Sequence, residues 1–215
     1  MSMAKPDAKD KHDLDPQMQK LAAMVYGESS AKDNLDEMYA LASVLERQRI
    51  ARGFPDISTF AAKDKNFSFV VSDGNPRYQK FTRASELEIT HNTGMQFAIE
   101  AAQNAMSGGS DFSNRAFFWD GADIKEKYKT HAKVRVGIRF SKPEHNIYKI
   151  AESTLLVIKH KNIVRVDSST GKRVLSREEI GRFDHVYEST AAWGGTIFWK
   201  LSSEYLQVMK AKEYR

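Results

Sequence analysis

Cysteine is absent from this 215-residue sequence, and its absence excludes several kinds of chemistry. A chain without thiols forms no disulfide, has no cysteine nucleophile and offers no thiolate to zinc. The 6 histidines show no His-Glu-x-x-His spacing or other metal-ligand pattern, so we expect no metal site. Phosphate-binding loops, dinucleotide fingerprints and Gly-x-Ser-x-Gly elbows are also missing, and we therefore expect no bound cofactor.

Long apolar runs are missing as well. No stretch of about 18 apolar residues occurs, so the sequence predicts no membrane-spanning helix. Residues 1–14 are rich in Lys, Asp and Ala and contain no apolar run of the length of a signal peptide. We expect a disordered lead-in over residues 1–14, synthesis in the cytoplasm without a signal peptide, and non-classical delivery for any role outside the cell.

Acidic residues are fewer than basic residues in this chain. The chain has 33 Lys and Arg against 28 Asp and Glu, which leaves a net charge of +5 and a pI near 9.2. This balance favours an anionic partner such as nucleic acid, a membrane surface or an acidic cell-wall polymer. Because the basic residues are spread along the chain, charge alone does not select one of these partners.

The stretch before Glu28 shows a clear helical pattern. Asp15 and Pro16 are typical of a helix N-cap and first turn, apolar residues recur at helical spacing to Val25, and Gly27 predicts the end of the helix. Glu28 therefore lies at a helix C-terminal boundary, where the dipole does not favour a carboxylate. Partial burial would favour the neutral form, which a general acid needs at neutral pH. The simpler interpretation is a solvated carboxylate at a helix end.

Helical patterns continue to about residue 115. A second helix is predicted from Leu35 to Leu45, capped by Asp33 or Asn34 and ended by Gly53. Further predictions are a short helix over 58–62, a strand or extended loop over 65–71, a turn over 72–76, a helix starting near residue 84, and a helix over 95–106 that ends at two glycines.

Strand patterns dominate after about residue 115. The sequence predicts a strand over 134–140, two strands over 155–158 and 163–166 around a turn at 159–162, and another turn at 168–172. Residues 176–179 match a capping box and predict a short helical turn. Residues 186–206 are too aromatic for a solvated tail, and we expect Trp193 and Trp199 in the core. The predicted fold class is α+β, with a helical N-terminal part and a β-rich C-terminal extension.

Three segments, in order, resemble the cell-wall hydrolase family of spore-cortex lytic enzymes. The first is Gly27-Glu28 followed by the small and aliphatic run over 38–47, which ends in Glu-Arg where the family has Asn-Arg. The second, Asn66-Phe67-Ser68-Phe69-Val70, is similar to the family's Gln-Phe-Ser-Trp loop. The third, residues 115–120, resembles its Ala-Leu-Tyr-Tyr-His-Asn stretch. The resemblance covers about residues 18–122.

The resemblance implies a lysozyme-like catalytic region over residues 15–122, and we expect residues 123–215 to form an extension packed on the same globule. It also implies that Glu28 is the catalytic acid in the cleavage of peptidoglycan glycan strands. Hydrogen bonds to the sugars are expected from Asn66 and Ser68. Further substrate contacts are expected from three aromatic rings that could stack on sugars and from one carboxylate, namely Tyr26, Tyr78, Trp119 and Asp120.

The resemblance leaves the reaction product open. A second carboxylate opposite Glu28 would direct hydrolysis, and its distance would select retention or inversion. Without one, the 6-hydroxyl of N-acetylmuramic acid can attack its own anomeric carbon and leave a 1,6-anhydro end. The candidates for a second carboxylate are Asp33, Asp36, Glu37, Asp73 and Asp120.

A cell-wall substrate and the absence of a signal-peptide pattern together suggest an antibacterial effector of a type VI secretion system. Such a protein would act in the periplasm of a target cell, with a secretion-apparatus carrier and a cognate immunity protein as partners. Two alternatives stay open. One is a non-catalytic glycan-binding or apparatus protein on the same fold, and the weaker one is a nucleic-acid binder, which only the pI favours and which we do not expect.

Overall fold

The computed structural model describes residues 15–63 and 74–214, and it shows an α+β protein, as the sequence predicts. The helices are α1 (Pro16–Glu28), α2 (Leu35–Ala51), α3 (Ile57–Lys63), α4 (Pro76–Arg83), α5 (Glu86–Thr90), α6 (Thr93–Met106), α7 (Asp123–Glu126), α8 (Ala132–Val136) and α9 (Ser203–Met209), with a 3-10 turn at Pro143–His145. The strands are β1 (Phe118–Asp120), β2 (Ile138–Arg139), β3 (Val157–Val166), β4 (Arg173–Phe183), β5 (Tyr187–Trp193) and β6 (Thr196–Leu201).

Local capping residues set the ends of the long helices. The side chain of Asp15 accepts a hydrogen bond from the backbone of α1, and Asn34 does the same for α2. Gly53 and Gly108 follow α2 and α6 with φ of 73° and 71°, a conformation that glycine adopts without a steric cost. The predictions of α1, α2, α3 and α6 are therefore confirmed.

The main hydrophobic core lies where α1, α2 and α6 pack together. Leu21, Met24 and Leu41 are fully buried there. Ala191 of β5 and Phe198 of β6 belong to the same cluster, so the C-terminal sheet packs directly on the helices. The burial of these apolar side chains is the dominant force that holds the sheet against the helices.

The larger sheet has the strand order β1-β6-β5-β2. Strand β1 is antiparallel to β6 and places Trp119 opposite Phe198, whereas β2 is parallel to β5. The sequence-based boundary at residue 122 lies between β1 and its partner β6, so residues on both sides of it share one sheet. Trp199 is fully buried and Trp193 is partly buried against the helical core.

Three predictions in the second half are wrong. Residues 134–140 form the end of α8 and the short strand β2, because Gly137 between them adopts a φ of 108° that breaks the extended chain. Residues 159–162, predicted as a turn, lie inside the single strand β3. The capping-box segment over 176–179 lies inside β4, where pairing with β3 replaces the local helical turn.

Strands β3 and β4 form a separate antiparallel hairpin. Its turn is closed by Asp167, whose Oδ1 accepts hydrogen bonds from the backbone N–H groups of Ser169 and Thr170, so the predicted turn at 168–172 is confirmed. Ten residues of β3 span about 33 Å. At the base, Phe183 packs edge-on against Tyr205 of α9. Most of the other side chains of β3 and β4 are exposed, so the polar residues over 159–162 do not indicate a turn.

The helices of residues 15–63 and 74–214 include none that is long and apolar enough to cross a membrane. The predicted lead-in over residues 1–14 and the predicted strand or loop over 65–71 lie outside the described residues.

Candidate active site

Glu28 is the last residue of α1, and its side chain is partly buried. Its Oε2 accepts a hydrogen bond of 3.2 Å from the indole Nε1 of Trp119 in β1. Trp119 is also partly buried, and Lys133 Nζ donates to its backbone carbonyl over 3.3 Å. The fold thus brings together two residues that the sequence analysis placed in one site.

Burial raises the pKa of Glu28 from 4.5 to about 7. The hydrogen bond from Trp119 acts in the opposite direction because it stabilises the carboxylate, and the negative charge of Asp123 raises the pKa further. A fraction of the Glu28 side chains therefore carries a proton at neutral pH. In the sequence, both the helix-end position and partial burial were named as reasons for a neutral carboxyl. The main cause of the raised pKa is desolvation by burial.

The C-terminal end of α1 is held by residues just before and within α4. Asn75 Nδ2 donates to Gly27 O over 2.9 Å, and Arg77 Nε donates to Tyr26 O over 2.8 Å. The guanidinium of Arg77 also donates to Ser29 Oγ over 3.1 Å and pairs with Asp33 at 2.7 Å. A cation at a helix C-terminus interacts favourably with the exposed carbonyls. The backbone just before Glu28 and the side chain of Ser29 just after it are thereby held in place.

A buried carboxylate joins the loop after Glu28 to the turn between β5 and β6. Glu37 Oε2 accepts from Ser30 Oγ over 2.6 Å. Its Oε1 accepts from Gly195 N over 3.2 Å and from Thr196 Oγ1 over 2.6 Å. A Cβ on Gly194 would overlap Glu37 Oε2, so this turn needs glycine for both its φ of 59° and its close approach.

Two predicted sugar-stacking residues are corrected by their burial. Tyr26 is 3% exposed and lies under the guanidinium of Arg77, 3.9 Å from the ring centroid. Tyr78 is 8% exposed, and its hydroxyl accepts a hydrogen bond from Lys20. Neither ring offers a face to a saccharide. Aromatic residues at helical spacing fill the core more often than they line a surface.

The predicted contact between Asp120 and the substrate does not fit the structure either. Asp120 is 8% exposed, and its Oδ1 lies 2.7 Å from Lys133 Nζ and 3.3 Å from His131 Nε2. Its position next to Trp119 indicates that this ion pair holds the end of β1. Asn66 and Ser68, the predicted hydrogen-bonding residues, lie outside the described residues, as does Asp73.

The described residues contain one group that could hold a metal ion. Asp120, Asp123 and His131 each place one ligand atom within 4.8 Å of the others. Lys133 Nζ already lies 2.7 Å from Asp120 Oδ1, and its charge would repel a cation there. The donor set is therefore better explained as an ion-pair network.

Two surface cavities lie away from Glu28. One of about 310 Å³ lies between α2 and the end of α6, and one of about 420 Å³ lies between α4 and α6. Arg47 in the first cavity pairs with Asp111, and Glu88 in the second bonds to Ser85. These local pairs leave Glu28 as the better candidate for acid chemistry.

Several residues of this site were missed by the sequence analysis. Arg77 and Asp123 have no local pattern that connects them to Glu28. Glu37 was considered only as a second catalytic carboxylate, because the sequence does not show where its side chain lies. The Gly194-Gly195 pair carried a usable signal, since two glycines between strand-like runs are typical of a hairpin turn.

No family model, no curated protein and no solved structure matches the chain. The function of this site is therefore inferred from its own residues and geometry.

Two substitutions are expected to shift the pKa of Glu28 in opposite directions. Trp119→Phe removes the hydrogen bond that stabilises the carboxylate, so the pKa should rise above its value of about 7. Asp123→Asn removes a negative charge, so the pKa should fall. The titration of the Glu28 carboxyl carbon by NMR measures both shifts. Shifts of the same sign in both variants would contradict these assigned causes.

Proposed function

We propose that this protein cleaves the glycan strands of peptidoglycan, with Glu28 as the general acid. The observation that carries the proposal is the partly buried carboxyl of Glu28, which has a pKa of about 7 and accepts a hydrogen bond from Trp119. A glycosidic oxygen leaves slowly unless it is protonated, and a positioned acid accelerates such a step by about 10² to 10⁴. An acid with a pKa near the working pH is well suited to this transfer.

The arrangement of the resembling segments supports the choice of reaction. The first segment contains Glu28 and the third contains Trp119, and the hydrogen bond between these two side chains joins segments that are far apart in the sequence. Segments that resembled the family only by chance would have no reason to contact each other in the fold. The positive net charge of +5 is also compatible with the carboxylates of peptidoglycan stem peptides.

Trp119 has two roles in this proposal. Its indole N–H orients the carboxyl of Glu28, and because the residue is only partly buried we assign it a contact with the apolar face of a sugar. Tyr26 and Tyr78 are buried, so Trp119 is the predicted aromatic residue that keeps the stacking role.

The proposal includes two possible products. The side chain of Asp123 is 50% exposed, and its charge acts on Glu28. If Asp123 directs a water molecule to the anomeric carbon, the product has a reducing end. If the muramic acid 6-hydroxyl attacks instead, its proton passes to the carboxylate that Glu28 has become after protonating the leaving oxygen, and the product has a 1,6-anhydro end.

We further propose that the protein is an antibacterial effector that acts on the wall of a target cell. This context rests on the proposed peptidoglycan substrate, which the family resemblance suggests. It implies a delivery apparatus and a cognate immunity protein that protects the producing cell.

Digestion of purified sacculi followed by mass spectrometry tests the proposed reaction. The wild-type protein should release fragments cut between sugars, and their reducing or anhydro ends identify the product. Glu28→Gln serves as the control for contaminating activity. Cleavage of peptide bonds, or intact sacculi with wild-type protein, would contradict the proposal. Tight binding to sacculi without any products would favour the non-catalytic glycan-binding alternative.

A further inference from the structure

Glu37 is a buried carboxylate to which the proposed reaction assigns no role. Its residue exposure is 0%, although it lies in the first turn of α2. Both of its oxygens accept hydrogen bonds from protein groups, namely Ser30 Oγ, Gly195 N and Thr196 Oγ1. A buried carboxylate is costly unless donors compensate for its lost hydration, and three donors do so here.

The three donors come from two parts of the site. Ser30 follows Glu28 by two residues in the loop between α1 and α2. Gly195 lies in the turn before β6 and Thr196 begins β6, which pairs with β1 and places Phe198 opposite Trp119. The hydrogen bonds of Glu37 therefore join the loop that directly follows Glu28 to the sheet that contains Trp119, the hydrogen-bond donor to Glu28.

The turn itself is shaped to receive this carboxylate. Gly194 has a φ of 59°, and a Cβ there would overlap Glu37 Oε2. A Cβ on Gly195 would lie 3.1 Å from the Cβ of Ser30. The Tyr148 hydroxyl also donates to Gly195 O. The turn is thus held by Tyr148 and lies close against the loop after Glu28.

We infer that Glu37 is a positioning residue of the proposed active site. It holds Ser30 against Gly195 and Thr196, and so maintains the hydrogen bond between Glu28 and Trp119. This inference rests on the proposed function for its effect on cleavage, but its effect on the Glu28–Trp119 pair does not depend on that function.

The geometry separates this role from that of a second catalytic carboxylate. A nucleophile or base must reach a sugar or a water molecule, whereas Glu37 is fully buried. A glutamine could satisfy the same partners. Its amide oxygen would accept from Gly195 N and Thr196 Oγ1, and its NH₂ group would donate to Ser30 Oγ.

The test compares Glu37→Gln with Glu37→Ala in the full chain. The first readout is the indole N–H resonance of Trp119, assigned with Trp119→Phe, which should titrate with Glu28 near pH 7 in the wild type. We expect Glu37→Gln to retain this titration and a cleavage rate within about threefold of wild type. Glu37→Ala should lose the titration and about 10²-fold in rate, because small displacements of catalytic groups have effects of this size.

Two results would overturn the inference. One is a Glu37→Gln variant that retains the Trp119 titration but loses cleavage as completely as Glu28→Gln, which would assign the charge of Glu37 to catalysis. The other is a Glu37→Ala variant with normal titration and rate. Should Glu37→Ala fail to fold, the double variant Ser30→Ala with Thr196→Val removes two donors, and the same readouts apply. If the wild type cleaves no glycan, the titration alone decides the positioning role.

Discussion

Replacing Glu28 with Gln is expected to lower the rate of glycan cleavage by about 10² to 10⁴ at pH 6. Glutamine has nearly the same shape and can still accept the hydrogen bond from Trp119, but it has no proton to donate to the leaving oxygen. The measurement is the initial rate of fragment release from labelled sacculi.

Glu126→Gln is the matched control for this loss, because Glu126 is an exposed carboxylate at the end of α7. It should cleave at the wild-type rate. A Glu28→Gln variant that kept its activity within a fewfold of wild type would show that another group protonates the leaving oxygen.

The same substitution is expected to stabilise the fold, and the gain should depend on pH. The pKa of Glu28 is about 7 in the folded protein against an ordinary value of 4.5, so folding opposes its ionisation. This penalty is absent below about pH 4.5, grows between pH 4.5 and 7, and is constant above pH 7. Glu28→Gln removes it and should raise the free energy of unfolding by up to about 3 kcal/mol at pH 8.

Urea unfolding of wild type and Glu28→Gln at pH 4, 6 and 8 measures this gain. The difference between the two proteins isolates Glu28 from every other group that titrates over the same range. An equal difference at all three pH values would mean that the Glu28 carboxyl is not held in its neutral form. This experiment needs no substrate, so it tests the geometry of the site separately from its function.

The helices α1, α2, α3 and α6 could be predicted because their signals are local. An Asp or Asn side chain caps the first N–H groups of a helix, and a glycine after its last turn adopts positive φ. Asp15, Asn34, Gly53 and Gly108 provide these signals within a few residues of the helix ends that they determine.

The second half was harder to predict because its structure depends on pairing between distant residues. The segment over 176–179 has the local pattern of a helix start, yet its backbone hydrogen bonds form with β3. The segment over 159–162 was predicted as a turn because it is polar. That prediction assumes that a strand has one buried face and therefore apolar residues at alternate positions. In this hairpin most of both faces is exposed, so polarity does not distinguish a strand from a turn.

The candidate site was predicted only in part for similar reasons. Glu28 was selected from its helix-end position and from the proposed family resemblance, and Trp119 from that resemblance. The roles of Arg77 and Glu37 depend on tertiary contacts with residues far along the chain, such as Tyr26 and Thr196. Tyr26 and Tyr78 were assigned to a surface because the sequence does not show which face of a helix is covered.

The pH dependence of glycan cleavage by the wild-type protein tests most directly whether Glu28 donates the proton. If it does, the rate should be highest on the acid side and should fall about tenfold per pH unit above a midpoint near 7. Asp123→Asn should move that midpoint to lower pH, together with the pKa of Glu28. A rate that rises through pH 7 would contradict the proposal, because it would require the carboxylate to act as a base.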